Sequence, residues 1–163
     1  MLFLTVGSQV PFDRLIETVD RWLETVECEI VAQIGEGGYT PKNMQAHASL
    51  EPAEYKKLMG QSQFVIAHAG MGTIISSLMA NKEIIVMPRK AILGEHRSDH
   101  QLGTVREMSK LEGVNVAVDE RELLLTLEEK LKLSDTHNVE PLPKFASGSL
   151  LRSVSGFLKG NEP

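Results

Sequence analysis

The spacing of apolar residues changes period along the chain. Leu2 to Val6 is a continuous apolar run, short enough for a buried strand. From Phe12 the spacing turns helical. Phe12, Leu15, Ile16, Val19, Trp22, Leu23 and Val26 form one face, and Asp13, Arg14, Glu17, Asp20, Arg21 and Glu24 fill the other. Pro11 suits the first position of that helix. Glu29 to Gln33 reads as a second strand and Ala46 to Leu50 as a weak third. Pro52 starts a short helix with Tyr55, Leu58 and Met59 inward, and Phe64 to Ala67 is the central strand. Thr73 to Ala80 reads as a helix, apolar on most sides and therefore expected to be buried. Ile84 to Met87 is another buried strand, Asp99 to Leu111 a helix and Val114 to Val118 a last strand. Asp119 then caps a helix, with Glu122 at capping-box spacing and Leu123, Leu124, Leu127 and Leu131 as its stripe. A polar, proline-containing connection over 134–143 leads to a final amphipathic helix carrying Leu150, Leu151, Val154, Phe157 and Leu158, and 160–163 read as a frayed tail.

Strands and helices alternate throughout. That pattern predicts an α/β fold: a doubly wound parallel sheet with helices on both faces, Rossmann-like, in a single domain over residues 1–160. There is no internal repeat and no low-complexity segment.

Composition narrows the function. A formal charge of −5 and scarce aromatics lack the basic footprint and base-stacking side chains of a nucleic-acid binder. The single cysteine, Cys28, lies in an apolar run and reads as a small buried hydrophobe. The first residues lack the basic region of a signal peptide, and no apolar run approaches the roughly 20 residues of a membrane-spanning helix. The expectation is a cytoplasmic protein that reaches a membrane only through something else.

The chemistry concentrates between Phe64 and Gln101, where two neighbouring strands each end in a polar loop. Gly70, Met71, Gly72 and Thr73 lie at a strand-to-helix turn, where glycine lets backbone approach a phosphate and the helix start offers free N–H groups. A tight turn requiring positive φ, with no ligand, is the competing reading. The pattern is neither G-x-G-x-x-G nor a P-loop with its lysine, which argues against a dinucleotide or a magnesium-held triphosphate. His68 ends the central strand beside this turn, either as a core histidine or as a phosphate or sugar contact.

Glu95, His96, Asp99, His100 and Gln101 cluster in the next loop and helix start. Carboxylates and amides there suit sugar hydroxyls, and histidine suits phosphate or hydroxyl. His96 and His100 are four apart, so on a helix they would share a face, and with His68 they could form a three-histidine metal site. The ligand-orienting role is preferred, with no metal. A solvated loop whose Asp99 caps the next helix is the bland alternative. Arg89 and Lys90 follow the second strand and either face an anionic ligand or serve as surface charges. Gly7, Ser8 and Gln9 follow the first strand and could face a second substrate. Gly35, Glu36, Gly37 and Gly38 read as a flexible loop.

Together these runs resemble the C-terminal domain of family-28 glycosyltransferases. The resemblance rests on His68 to Thr73, Ile84 to Arg89 and Gly94 to Gln101, with Phe3 to Ser8, Phe12 to Ile16 and Gln33 to Gly35 in support, and it covers about residues 1 to 130. Small one-domain members are the most similar: the catalytic subunit of the eukaryotic dolichol-linked N-acetylglucosaminyltransferase and, more so, the small subunit of bacterial two-part exopolysaccharide glycosyltransferases. The resemblance implies the donor-binding half of a GT-B enzyme. The Gly70–Thr73 turn would meet the diphosphate, and the Glu95–Gln101 loop the donor sugar or its phosphate. The acceptor half, often with the catalytic base, would be a separate membrane-associated protein. Many members carry a glutamate for the ribose hydroxyls where Ser76 stands here, which puts ribose recognition in doubt.

The expected function is therefore a hexosyltransferase subunit. It would use a nucleotide-diphosphate sugar, uridine-linked, and with its partner transfer the sugar to a lipid-linked acceptor. No cofactor is expected. His68, His96 and His100 are candidate contacts to phosphate or sugar, and none is assigned as the base. A non-catalytic nucleotide-binding regulator and a metal-dependent hydrolase are the alternatives.

Overall fold

The computed structural model describes residues 1–7, 10–98 and 100–132, with only the backbone described for His100. Ser8, Gln9, Asp99, the 134–143 connection, the helix expected around Leu150 to Leu158 and the 160–163 tail lie outside the described residues.

Six strands, β1 (Leu2–Thr5), β2 (Ile30–Gln33), β3 (Gln45–His47), β4 (Val65–His68), β5 (Ile84–Met87) and β6 (Val114–Val116), form one sheet in the order β3-β2-β1-β4-β5-β6. Every pairing is parallel, with Leu4 opposite Ala32 on one side and Ile66 on the other. Among the described residues four helices connect them, α1 (Asp13–Trp22), α2 (Pro52–Gln61), α3 (Met71–Met79) and α4 (His100–Met108), with a 3-10 turn at Ala91–Leu93, and α5 (Glu120–Lys132) follows β6.

Side chains alternate across each strand, so each strand feeds both faces. Leu2, Leu4, Ile30, Ala32, Ile66 and Ile85 pack with Leu15, Ile16, Val19 and Trp22 of α1 and Leu123 and Leu127 of α5. Phe3, Val65, Ala67, Ile84 and Val86 pack on the other face with Met59 of α2, Ile74 and Leu78 of α3 and Val105 of α4. The two faces make the fold doubly wound. Chain order reverses between β1 and β4, and such a switch point opens a crevice beyond the carboxyl ends of the strands.

Local signals set several helix ends. Pro52 opens α2, and Glu122 donates its backbone N–H to the Asp119 carboxylate (2.9 Å) at the head of α5. Three expectations change. Pro11 stands before α1, whose cap is Phe12, because the loop after β1 needs that residue's carbonyl elsewhere. Helix α3 begins at Met71, and it is buried on one side only, with Met71 and Met79 half exposed. The loop after β2 is pinned rather than loose. Asp20 of α1 is buried, and its carboxylate accepts from Lys42 N, Asn43 N and the Tyr39 hydroxyl at 2.7–3.1 Å. Burial alone would raise that carboxylate, but the bonds from Asn43, Lys42 and Tyr39 outweigh it and hold it below its ordinary value.

Candidate functional site

A cleft of about 340 Å³ lies at the switch point. Val6, Gly7 and Val10 wall it from the loop after β1, and His68, Gly70, Gly72 and Thr73 from the end of β4 and the start of α3. Arg89, His96 and Gln101 close the third side, from the segment after β5 and the start of α4. Two larger hollows, of about 650 and 610 Å³, lie between α1 and α5 and beside Gly94 to Arg97. The switch-point cleft is the better candidate. It sits where parallel sheets bind ligands, and it faces the start of α3.

The start of α3 has the features that an anion site needs. Its cap, Gly70, has no side-chain hydrogen bond to the first turn, so the early N–H groups and the positive end of the helix dipole face outward. Gly70 has ordinary extended backbone, φ −89° and ψ 125°, so positive φ is not the reason for glycine here. A Cβ on Gly70 would overlap the His68 imidazole, and a Cβ on Gly7 would come within 3.0 Å of its Cε1. The two glycines make room for the ring between β1 and β4. A Cβ on Gly72 would meet none of the described residues within 4 Å, and Gly72 lines the cleft.

The His68 imidazole is lowered from 6.5 to about 4, chiefly by burial and then by the Arg89 charge, with the Thr5 backbone opposing and His96 adding to the fall. Among the described residues no hydrogen bond of good geometry reaches its buried Nδ1. His68 is therefore neutral at neutral pH and a weak base there. An anion in the cleft would raise it again.

Arg89 is 2% exposed, and its guanidinium is spent on backbone. Nη1 donates to the carbonyls of Pro11 (2.6 Å) and Glu95 (3.4 Å), and Nη2 to those of Val6 (3.0 Å) and Val10 (2.6 Å). It stacks 4.6 Å from the centre of the Phe12 ring. Burial lowers its affinity for the proton, with Glu95 and Asp13 opposing. Expected to face a ligand, Arg89 borders the cleft, but its guanidinium is turned to these carbonyls, so it contributes a buried positive charge within the wall.

Glu95 likewise turns away from its expected role. Its carboxylate receives Arg14 Nε (2.5 Å), Arg14 Nη2 (2.8 Å) and Lys90 N (2.8 Å). Burial pushes that carboxylate up, and the Arg14 and Lys90 bonds bring it below its ordinary value. Gln101 is buried and accepts from Arg89 N at 3.0 Å. His96 forms the partition between the cleft and the hollow beside Gly94, and its Nδ1 accepts from Ser98 N at 3.4 Å.

The remaining expected residues divide. Thr73 lines the cleft, and its side chain also hydrogen-bonds Tyr55, whose phenol is raised by burial and lowered in part by that bond and one from Thr5. Met71 and Ser76 are exposed on α3 and do not line the cleft; Ser76 Oγ donates to Gly72 O at 2.7 Å. The side chains of Ser8 and His100 lie outside the described residues. Among the described residues no three His, Cys, Asp or Glu groups come together to hold a metal ion.

Arg14 and Phe12 were read as ordinary residues of an amphipathic helix, yet they organise the wall behind the cleft. No local signal marks them, because apart from their contact with each other their partners lie 74 to 106 positions away.

A parallel sheet in this order, with a glycine-bearing turn opening a helix at its switch point, defines a Rossmann-like ligand-binding domain. More narrowly, the chain belongs to the glycosyltransferase family 28 C-terminal domain family, whose pattern matches residues 1–148. No curated protein matches the sequence. Among solved structures, the glycosyltransferase of kitacinnamycin is 18% identical, with TM-score 0.62 over 99% of this chain and 43% of its own length. MurG of Acinetobacter baumannii is 17% identical, with TM-score 0.60 over 84% of this chain and 42% of its own. ALG13 is 20% identical, with TM-score 0.57 over 93% of both chains. At these identities the likeness is one of fold. The chain spans less than half the length of the first two proteins and nearly all of ALG13. Among the described residues no helix is long and apolar enough to cross a membrane.

Proposed function

We infer that this glycosyltransferase domain binds the donor, a nucleotide-diphosphate sugar with uridine as its base, in the switch-point cleft. It acts as the donor half of a two-part hexosyltransferase. A membrane-associated partner supplies the acceptor half, a lipid-linked acceptor and the catalytic base, and holds this chain at the inner face of the membrane. The carrying observation is the uncapped start of α3 opening on a cleft between Gly7 and Gly72, with the buried Arg89 in its wall. The amides and helix dipole would stabilise charge developing on the leaving diphosphate. His68, Thr73, His96 and Gln101 border the space left for phosphate and sugar, with His100 a further candidate for that contact. A volume of about 340 Å³ is at the small end for a ligand site, as expected of half a site completed by another protein. The low affinity of His68 for a proton supports placing the base elsewhere.

Ser76 supports a second reading. It offers a short hydroxyl, turned to its own helix, where an acid for the ribose was expected. That suits a nucleotide-binding regulator whose partner transfers sugar unaided.

Titration with uridine diphosphate tests the proposal. At a hundredfold excess over Kd, binding adds about 2.7 kcal/mol and raises the melting temperature by roughly 5–10 °C. Amide signals of Gly70, Gly72 and Thr73 should move most. No thermal shift and no perturbation there would remove the donor reading. Sugar transfer by the partner alone, at the full rate, would favour the regulator.

A further inference from the structure

Two loops distant in sequence meet behind the cleft, and two arginines join them. Arg14 lies on α1 and Glu95 lies 81 positions later, yet the guanidinium meets both carboxylate oxygens. The pair is largely buried, with each side chain 12% exposed. The same guanidinium reaches the Pro88 carbonyl at 3.0 Å, and the same carboxylate accepts Lys90 N at 2.8 Å. Arg89 runs the other way, from the end of β5 to the carbonyls of Val6, Val10 and Pro11. The buried Phe12 ring meets both guanidiniums, Arg14 at 5.3 Å and Arg89 at 4.6 Å. Arg14 and Glu95 line no part of the switch-point cleft.

We propose that Arg14, Glu95 and Arg89 form a latch that locks the loop after β1 to the loop after β5 and so sets the width of the cleft. Arg14 and Glu95 act as positioning residues that never touch the ligand. The latch fixes backbone that carries the cleft wall. Val6 and Val10 are held by their carbonyls, His96 follows the pinned Glu95, and Gln101 is bonded to Arg89 N. A fork-to-fork pair suits this task, because two parallel bonds fix orientation as well as distance. The consequence for the diphosphate rests on the donor reading above; the coupling of the loops does not.

The test uses Arg14→Met, Glu95→Gln and the double variant, each studied below its own melting temperature. Each single variant should weaken uridine diphosphate binding about tenfold, as the loss of an outer support typically does. Amide hydrogen exchange should quicken at Val6, Gly7 and Val10, which lie across the latch from Glu95. The double variant should bind no worse than the weaker single one, because one shared contact is lost in all three. Arg14→Lys keeps the charge without the fork and should fall between wild type and Arg14→Met; it also serves if Arg14→Met does not fold. Variants that melt earlier yet bind like wild type, with unchanged exchange at Gly7 and Val10, would overturn the latch. If wild type itself ignores uridine diphosphate, the donor reading falls alone. Exchange at Gly7 and Val10 then decides the latch by itself.

Discussion

After β2 the chain turns through Gly35 and Gly37, both at φ +75°, whereas after β4 it turns through Gly70, at φ −89°, and Gly72, inside a helix. In the sequence the two loops look alike, as glycines at the end of a strand. In the first, Gly35 and Gly37 answer a backbone need, since a side chain at that φ is strained, and Gly38 answers one for space, since a Cβ there would overlap the Asp13 carboxylate and Pro11. The loop is then fastened by Asp13, which accepts from Tyr39 N at 2.9 Å, and by buried Asp20. In the second, the backbone is ordinary and glycine answers a need for space. Gly70 clears the His68 ring, and Gly72 leaves helix backbone bare toward the cleft. Glycine alone does not distinguish the loops; Gly70 and Gly72 border the switch-point cleft, whereas the first loop is closed down on α1 by Asp13 and Asp20.

The sharpest way to break this comparison is Gly70→Ala. The methyl displaces the His68 ring, which costs about 1–3 kcal/mol of stability and removes protection by uridine diphosphate. Adding His68→Ala returns most of the stability in thermal melts. If Gly70→Ala alone is as stable as wild type, the space argument is wrong.

Asp20→Asn tests the first loop. It weakens charge-assisted bonds to Lys42, Asn43 and Tyr39 and should cost about 1.5–3 kcal/mol while leaving ligand affinity unchanged. The native carboxylate titrates below its ordinary value of 3.8, so its stabilisation is complete above that pH and is lost as pH falls through the lower native value. The acid limb of stability against pH should be shallower in the variant, as read by chemical denaturation. An unchanged limb would show that Asp20 is not what fastens the loop.

The smallest effects should have opposite signs. Gly35→Ala strains a left-handed position and should lower stability by about 1 kcal/mol without touching binding. Gly72→Ala puts a better helix former into open space and should raise stability by up to about 1 kcal/mol, while its methyl crowds the anion surface and weakens uridine diphosphate binding. Matching signs in melts of the two variants would erase the distinction.

The sequence by itself determined the alternation of strands and helices, the Pro52 and Asp119 helix starts, and the glycine turn beside His68. These rest on contacts within a few residues or on the period of burial, and both are written locally. Gly7, His68, Gly70, Gly72, Thr73, Arg89, His96 and Gln101 were singled out for their strand-end positions, and the strand order brings them to one cleft. Only the tertiary structure decided which way their side chains face. Arg89 and Glu95 carry the charges of ligand contacts, but carbonyls from residues 6 to 11 and the guanidinium of Arg14 claim them first. A buried charge takes whatever partner the fold brings within reach, and here that partner comes from more than 70 positions away, where no local pattern records it.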